Sequence, residues 1–132
     1  MEKIATDLKQ SEQIAKILPI ESADMFYYKN IFFGALSAFN GALLPRGNQE
    51  IKEEKMIPAW SLSALMAVLP IKFDWEFETY EFRMRIYYYS SGEKYYDIGY
   101  QGSCGCLLYA DAKNLVDACV EMILKIKEKE LL

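Results

Sequence analysis

At 132 residues, 52% hydrophobic and 26% charged, the chain reads as one globular domain, 1–132, able to bury a core without staples. Its formal charge of −4 argues against nucleic acid as a partner, because phosphate binding rests on clustered Lys and Arg. It has no histidine, which removes Ser–His–Asp and Cys–His chemistry and the commonest general base near neutral pH.

The opening "MEKIATDLKQSEQ" lacks an apolar signal core, and the uncharged runs 30–45 and 56–71 contain Pro or Gly. Both runs are shorter than the ~20 apolar residues of a spanning helix, so the expectation is a cytoplasmic protein outside the membrane. Its three cysteines are then reduced thiols and not a disulfide framework.

Helical periodicity comes first, over 4–18. Ile4, Leu8, Ser11, Ala15 and Leu18 share a face with Ile14 at its flank, and Pro19 stops the run. The aromatic stretch "DMFYYKNIFF" (24–33) predicts a strand. Residues 34–57, with Gly34, Gly41, Pro45 and Gly47, read as a long irregular connection. Ser61 caps a predicted helix over 61–69, whose inner stripe is Leu62, Leu65, Met66 and Leu69.

From 71 to 89 apolar residues alternate, but the phase slips. Ile71, Phe73, Trp75 and Phe77 are odd, whereas Tyr80, Phe82, Met84, Ile86 and Tyr88 are even. A period-two pattern that shifts by one requires a turn or bulge, expected near Glu78–Thr79. "SSGEK" (90–94) then predicts a turn and "YYDIGY" (95–100) a returning strand. Asn114 caps the last helix, with Val116, Cys119, Val120, Ile123 and Ile126 inside and Glu121–Lys125 as an i,i+4 pair outside. Together these elements predict the α+β class: a small antiparallel sheet of about 3–5 strands packed against N-terminal, middle and C-terminal helices.

Several residues invite chemistry. "GSCGC" (102–106) sets Cys104 and Cys106 one residue apart, which raises a metal site or a reactive thiol. A structural zinc site needs four soft ligands, and only three cysteines exist, so the expectation is small hydrophobes at the end of a strand that bends towards the final helix. Cys119 sits in mid-stripe and reads as core. Asp74, Glu76 and Glu78 alternate as on a solvated strand face, with Mg²⁺ as the sharper alternative. There is no phosphate-binding loop or dinucleotide fingerprint, and no cofactor is expected.

Two stretches look like interaction surfaces. In one, Arg83 and Arg85 share a strand face with Tyr87 and Tyr89, with Tyr95 across the turn. Such a cation–aromatic face is also how single-stranded nucleic acid is held, although Glu81 and Glu93 interrupt it. The other is "NIFFGALSAFNGALL", whose Phe32, Phe33, Phe39, Leu43 and Leu44 would form an apolar contact if exposed.

The blocks "QSEQIAKILPIESADM" (11–25), "IPAWSLSALMAVLP" (57–70) and "NLVDACVEMILKIKEKELL" (114–132) resemble a family of small proteins carried by prophages and other mobile elements of gut anaerobic bacteria. Leu115 departs from the family's usual Pro at the first helical position, and Cys119 falls within its "VDAC" block. The resemblance implies an accessory protein and no particular reaction. The expectation is therefore a non-enzymatic interaction protein that pairs with an unknown protein or with itself. A small metal- or thiol-dependent enzyme and a single-strand binder are the alternatives.

Overall fold

The computed structural model describes residues 3–33 and 56–131. The chain divides into two compact units, one from Ile4 to Ala64 and one comprising Met1–Lys3 and Leu65–Leu132. Both mix helix with antiparallel sheet, so the fold is α+β.

In the unit 4–64, helix α1 spans Leu8–Ala15 and begins four residues later than periodicity predicts. The reason is local. Asp7 accepts from the Gln10 amide at 2.8 Å while the Gln10 side chain accepts from the Asp7 amide, a capping box that fixes the start. Ile4 stays outside the helix and is exposed, whereas Ser11 and Ile14 are buried. The predicted strand at 24–33 is a hairpin: β1 (Met25–Tyr28) and β2 (Ile31–Phe33). Lys29 and Asn30 both have positive φ, the backbone of the two-residue turn that matches strand twist. Phe26 stacks on Phe33 with ring centroids 4.9 Å apart, and Tyr27 packs on Phe32 at 5.2 Å.

Strand β3 (Met56–Ala59) pairs with β1, giving the order β2–β1–β3, so residues 56 and 57 belong to sheet and not to connection. The rest of the expected connection, with Phe39, Leu43 and Leu44, lies outside the described residues. Trp60 is fully buried and its indole donates to Ser22 at 2.9 Å. Asp24 accepts from the Ser61 amide and hydroxyl, and the Ser61 hydroxyl accepts from Ala64, capping helix α2 (Leu62–Val68) as predicted.

The unit 65–132 holds a four-stranded meander: β4 (Lys72–Trp75), β5 (Glu78–Tyr88), β6 (Lys94–Gly102) and β7 (Gly105–Ala112), paired in that order. The phase slip is a turn, as expected, but at Glu76–Phe77, both with positive φ. Placing it there leaves Phe77 at the tip and sets Phe73 opposite Tyr80.

The even residues of β5, β6 and β7 share one face. Helix α3 (Leu115–Glu128) lies over its β6–β7 half and buries Ile98, Tyr100, Leu108 and Ala110. Val116, Cys119, Val120, Ile123 and Ile126 are all buried on α3 as read from their spacing. Asn114 caps the helix by accepting from the Asp117 amide at 2.9 Å, and Glu121 pairs with Lys125 at 3.3 Å.

Candidate functional site: the polar face of the meander

The odd residues of β5 and β6 form the opposite face. Register sets Arg83 beside Gly99, Arg85 beside Asp97 and Tyr87 beside Tyr95. On β7, Tyr109 lies next to Gly99 and Asp111 next to Asp97. Gly99 is the centre of this array and has no side chain, so the surface dips there. A hollow of about 450 Å³ opens over it, lined by Arg83, Arg85, Asp97, Gln101, Cys106 and Tyr109. A Cβ on residue 99 would sit 3.0 Å from the Leu108 carbonyl and 3.1 Å from the Cys106 sulfur, so any larger residue crowds the floor. A second hollow adjoins it and shares Arg83 and Gln101, with Glu78, Thr79 and Ser103 on its far side.

The charges on this face are arranged in pairs. Arg85 donates to Asp97 at 2.6 Å, and that carboxylate is buried while the guanidinium stays largely exposed. The bond and the charge of Asp97 hold Arg85 above its ordinary pKa. Arg85 also lies over the Tyr87 ring, 5.8 Å from its centroid. Tyr87 donates to Asp111 at 2.9 Å and packs against Tyr89 and Tyr95 with centroids 5.5 Å and 5.9 Å away. Its hydrogen bond with Tyr89, then burial, then Asp111 hold this phenol above the usual tyrosine range. Tyr109 is raised too, first by burial and then by Asp97 and Asp111. Arg83 is the looser cation: among the described residues its ion-pair partner is Glu81, 3.9 Å away.

The predicted surface is thus brought together for Arg83, Arg85, Tyr87 and Tyr89. Phe32 and Phe33 belong to β2 of the other unit, where Phe33 is half-buried against Phe26 and Phe32 is exposed beside Tyr27. The sequence reading misses Tyr109 and Asp111 because it does not recognise β7, and Asp97, Gly99 and Gln101 because only the β5–β6–β7 register brings them to this face. A signal was present: "LLYADA" alternates, and a glycine inside "DIGY" marks a close approach in a strand.

"GSCGC" is corrected as well. It is the β6–β7 hairpin turn and does not lead to the final helix. Glu78 closes on it, accepting from the Ser103 amide at 2.5 Å, the Ser103 hydroxyl at 2.6 Å and the Cys104 amide at 3.3 Å. A side chain on Gly102 would run into that carboxylate, so the glycine makes the closure sterically feasible.

Both Cys104 and Cys106 are exposed, contrary to the expected core filler. Cys104 sits on the turn, and Cys106 borders the Gly99 hollow with its S–H donated to the Leu108 carbonyl at 2.9 Å. Cys119 is the core thiol, 3.6 Å from the Met66 sulfur, and burial pushes it up to about 12. Asp74, Glu76 and Glu78 do not share a strand face: Asp74 accepts from Thr79 on the neighbouring strand and Glu76 is in the turn. Among the described residues no three of His, Cys, Asp and Glu gather as metal ligands do. Nor is any described helix long and apolar enough to cross a membrane.

Searches of family models, curated proteins and solved structures find no match for this chain.

Proposed function

We propose that this chain is a non-enzymatic interaction protein, an accessory of a prophage or other mobile element, which acts in the cytoplasm and takes a protein partner on the polar face of its meander. The observation that carries this reading is the open hollow above Gly99, bordered by two guanidinium groups and continued by the Tyr87–Tyr89–Tyr95 cluster. Arg and Tyr supply much of the energy of protein–protein contacts, because each presents a broad, stiff, partly polar surface. Arg83 is the cation a partner's carboxylate or carbonyl would engage, since Glu81 holds it only loosely. The three-block resemblance to prophage-borne proteins supports the biological setting.

The alternatives fit the face less well. Glu81, Asp97 and Asp111 stand among its arginines and would repel a phosphate backbone. Cys106 spends its S–H on a backbone carbonyl, and a thiol nucleophile wants a base in that place.

The test is a photo-crosslinking residue in place of Tyr109 in the full chain, expressed in host cells. The expected result is one discrete protein adduct that Arg83→Glu weakens at least ~10-fold, the scale of one interface anchor. An adduct indifferent to Arg83→Glu, or one removed by nuclease, would overturn the proposal.

A further inference from the structure

Strand β5 pairs with β6 from Glu81 to Tyr88 on one side and with β4 over its first four residues on the other. On the second side β4 covers Glu78–Glu81, and the Phe82 amide donates to the Ile71 carbonyl at 2.8 Å. That bond fixes which backbone groups point which way. Even residues of β5 direct their N–H and C=O groups towards the β4 side, while Arg83, Arg85 and Tyr87 direct theirs towards β6. From residue 83 to residue 89 no described strand takes the β4 side. The backbone groups of Met84, Ile86 and Tyr88 therefore look out from an edge that no described strand pairs.

Natural sheets blunt such edges with proline, bulges or covering loops, because an open ladder recruits another strand. This edge has no proline, and the sheet's one register shift among the described strands lies between β6 and β7. The side chains along it are exposed: Met84 is 49%, Ile86 48% and Tyr88 66% accessible.

We propose that β5 pairs with β5 of a second copy of this chain, antiparallel, about a two-fold axis at Ile86. The two meanders then form one continuous sheet. What favours a copy of itself as the occupant is the pattern of the edge. Of the outward-directed residues beyond β4, Met84, Ile86 and Tyr88, Ile86 is the middle one, so this axis uses all three. Each Met84 falls opposite Tyr88 of the other copy, and Ile86 falls opposite Ile86, which joins two apolar stripes on one face. On the other face each Arg85 falls opposite Tyr87 and each Arg83 opposite Tyr89, so every cation meets a ring and no like charges oppose. An axis at Arg85 would set two guanidinium groups against each other in the closest kind of cross-strand pair. An axis at Tyr87 would carry Arg83 past the end of the strand. Pairing at Ile86 closes about six backbone hydrogen bonds, two for each facing pair of outward residues. Arg83, Met84 and Arg85 of this strand also border the Gly99 hollow, so the dimer shares them with the partner proposed above, whereas the Ile86 axis lies outside that lining and is tested apart from it.

Sedimentation equilibrium of the full chain tests it. The expected result is a dimer at micromolar concentration. Ile86→Lys sets two ammonium groups at the axis and is expected to weaken the dimer ~100-fold or more, with circular dichroism unchanged. A monomeric native chain, or a dimer that survives Ile86→Lys, would sink the idea. Register is tested without disturbing the axis, in a background where Cys104 and Cys106 are serine. Arg83→Cys and Tyr89→Cys chains, mixed under oxidation, are expected to cross-link with each other, since facing Cα atoms of such a pair lie ~4.5 Å apart. Neither is expected to cross-link alone, because its own copies sit about six residues apart along the ladder, ~20 Å. Equal cross-linking of each variant by itself would overturn the register.

Discussion

The two halves of the meander's apolar face carry the same sequence pattern and meet different fates. On β6 and β7, Ile98, Tyr100, Leu108 and Ala110 lie buried beneath α3. On β5, Met84, Ile86 and Tyr88 alternate just as regularly and remain about half exposed or more. Alternation reports which side chains share a face. It does not report how far a helix reaches across that face, because the cover comes from a segment distant in sequence. A 14-residue helix is ~21 Å long, enough to cover the middle of β6 and β7, but, like any helix, it is only about as wide as two strand spacings. β7 ends the sheet too, but its inner face lies under α3, so exposed apolar side chains coincide with backbone groups that no described strand pairs on β5.

The sharpest break of this comparison uses two residues that face each other across β5 and β6. Ile98 is fully buried and its cross-strand neighbour Met84 is not. Ile98→Ala is expected to cost about 2–5 kcal/mol, by lost transfer energy plus a cavity under α3. Met84→Ala is expected to cost under ~1 kcal/mol when measured at protein concentrations low enough to keep the chain monomeric. Urea unfolding of both variants reads the difference. Equal losses would mean that β5 is covered in solution.

The thiols extend the same contrast to titration. Burial pushes Cys119 up to about 12 from its ordinary 9.0, so the folded state holds the proton where the unfolded state releases it. The stabilisation is complete below about pH 9 and is lost as pH rises from there towards 12. The expected slope is on the order of 1 kcal/mol per pH unit over that window. Tyr100, raised chiefly by burial, acts in the same direction at higher pH. Unfolding free energies at pH 8 and pH 10 are expected to differ by about 1 kcal/mol more in the native chain than in Cys119→Ala. Alkylation of the native protein should modify Cys104 and Cys106 and spare Cys119. A Cys119 that reacts as fast as Cys106 would contradict the buried placement.

How much of this was legible follows from where each signal resides. Helix α3 was readable in full, because Asn114, the apolar stripe and Glu121–Lys125 are all local in sequence. The Arg83–Tyr89 face was readable from alternation alone. Its centre was not, since Gly99, Asp97 and Tyr109 join it only through the β5–β6–β7 register, a non-local fact. Helix α1 was read too long because Ile4 fits a helical period by chance, whereas the Asp7–Gln10 box sets the start. Lys29–Asn30 and Glu76–Phe77 were misread for a shared reason. Their turns need positive φ at both positions, and neither pair contains the glycine that usually announces it.

"GSCGC" gives the smallest effect and the most local one. Its turn is held from outside by Glu78, a residue 25 positions away from Ser103. The Ser103 hydroxyl is the main cause that draws Glu78 below its ordinary 4.5, with the Ser103 and Cys104 amides adding to it and desolvation opposing. A carboxylate whose folded pKa is depressed contributes stability that is present above about pH 4.5 and lost as pH falls through the folded value. The site is exposed, so the global effect is small: Glu78→Ala should move Tm by less than ~4 °C. Locally it should speed hydrogen exchange of the Ser103 and Cys104 amides by ~10-fold, since both then open to water without a competing acceptor. Lowering the pH through the depressed folded value of Glu78 should produce the same local opening in the native chain once intrinsic exchange rates are corrected. Unchanged exchange at both amides would show that the glycines hold the turn unaided. A Tm loss as large as that of Ile98→Ala would show that the turn is no local device and that the β6–β7 hairpin depends on it for its register.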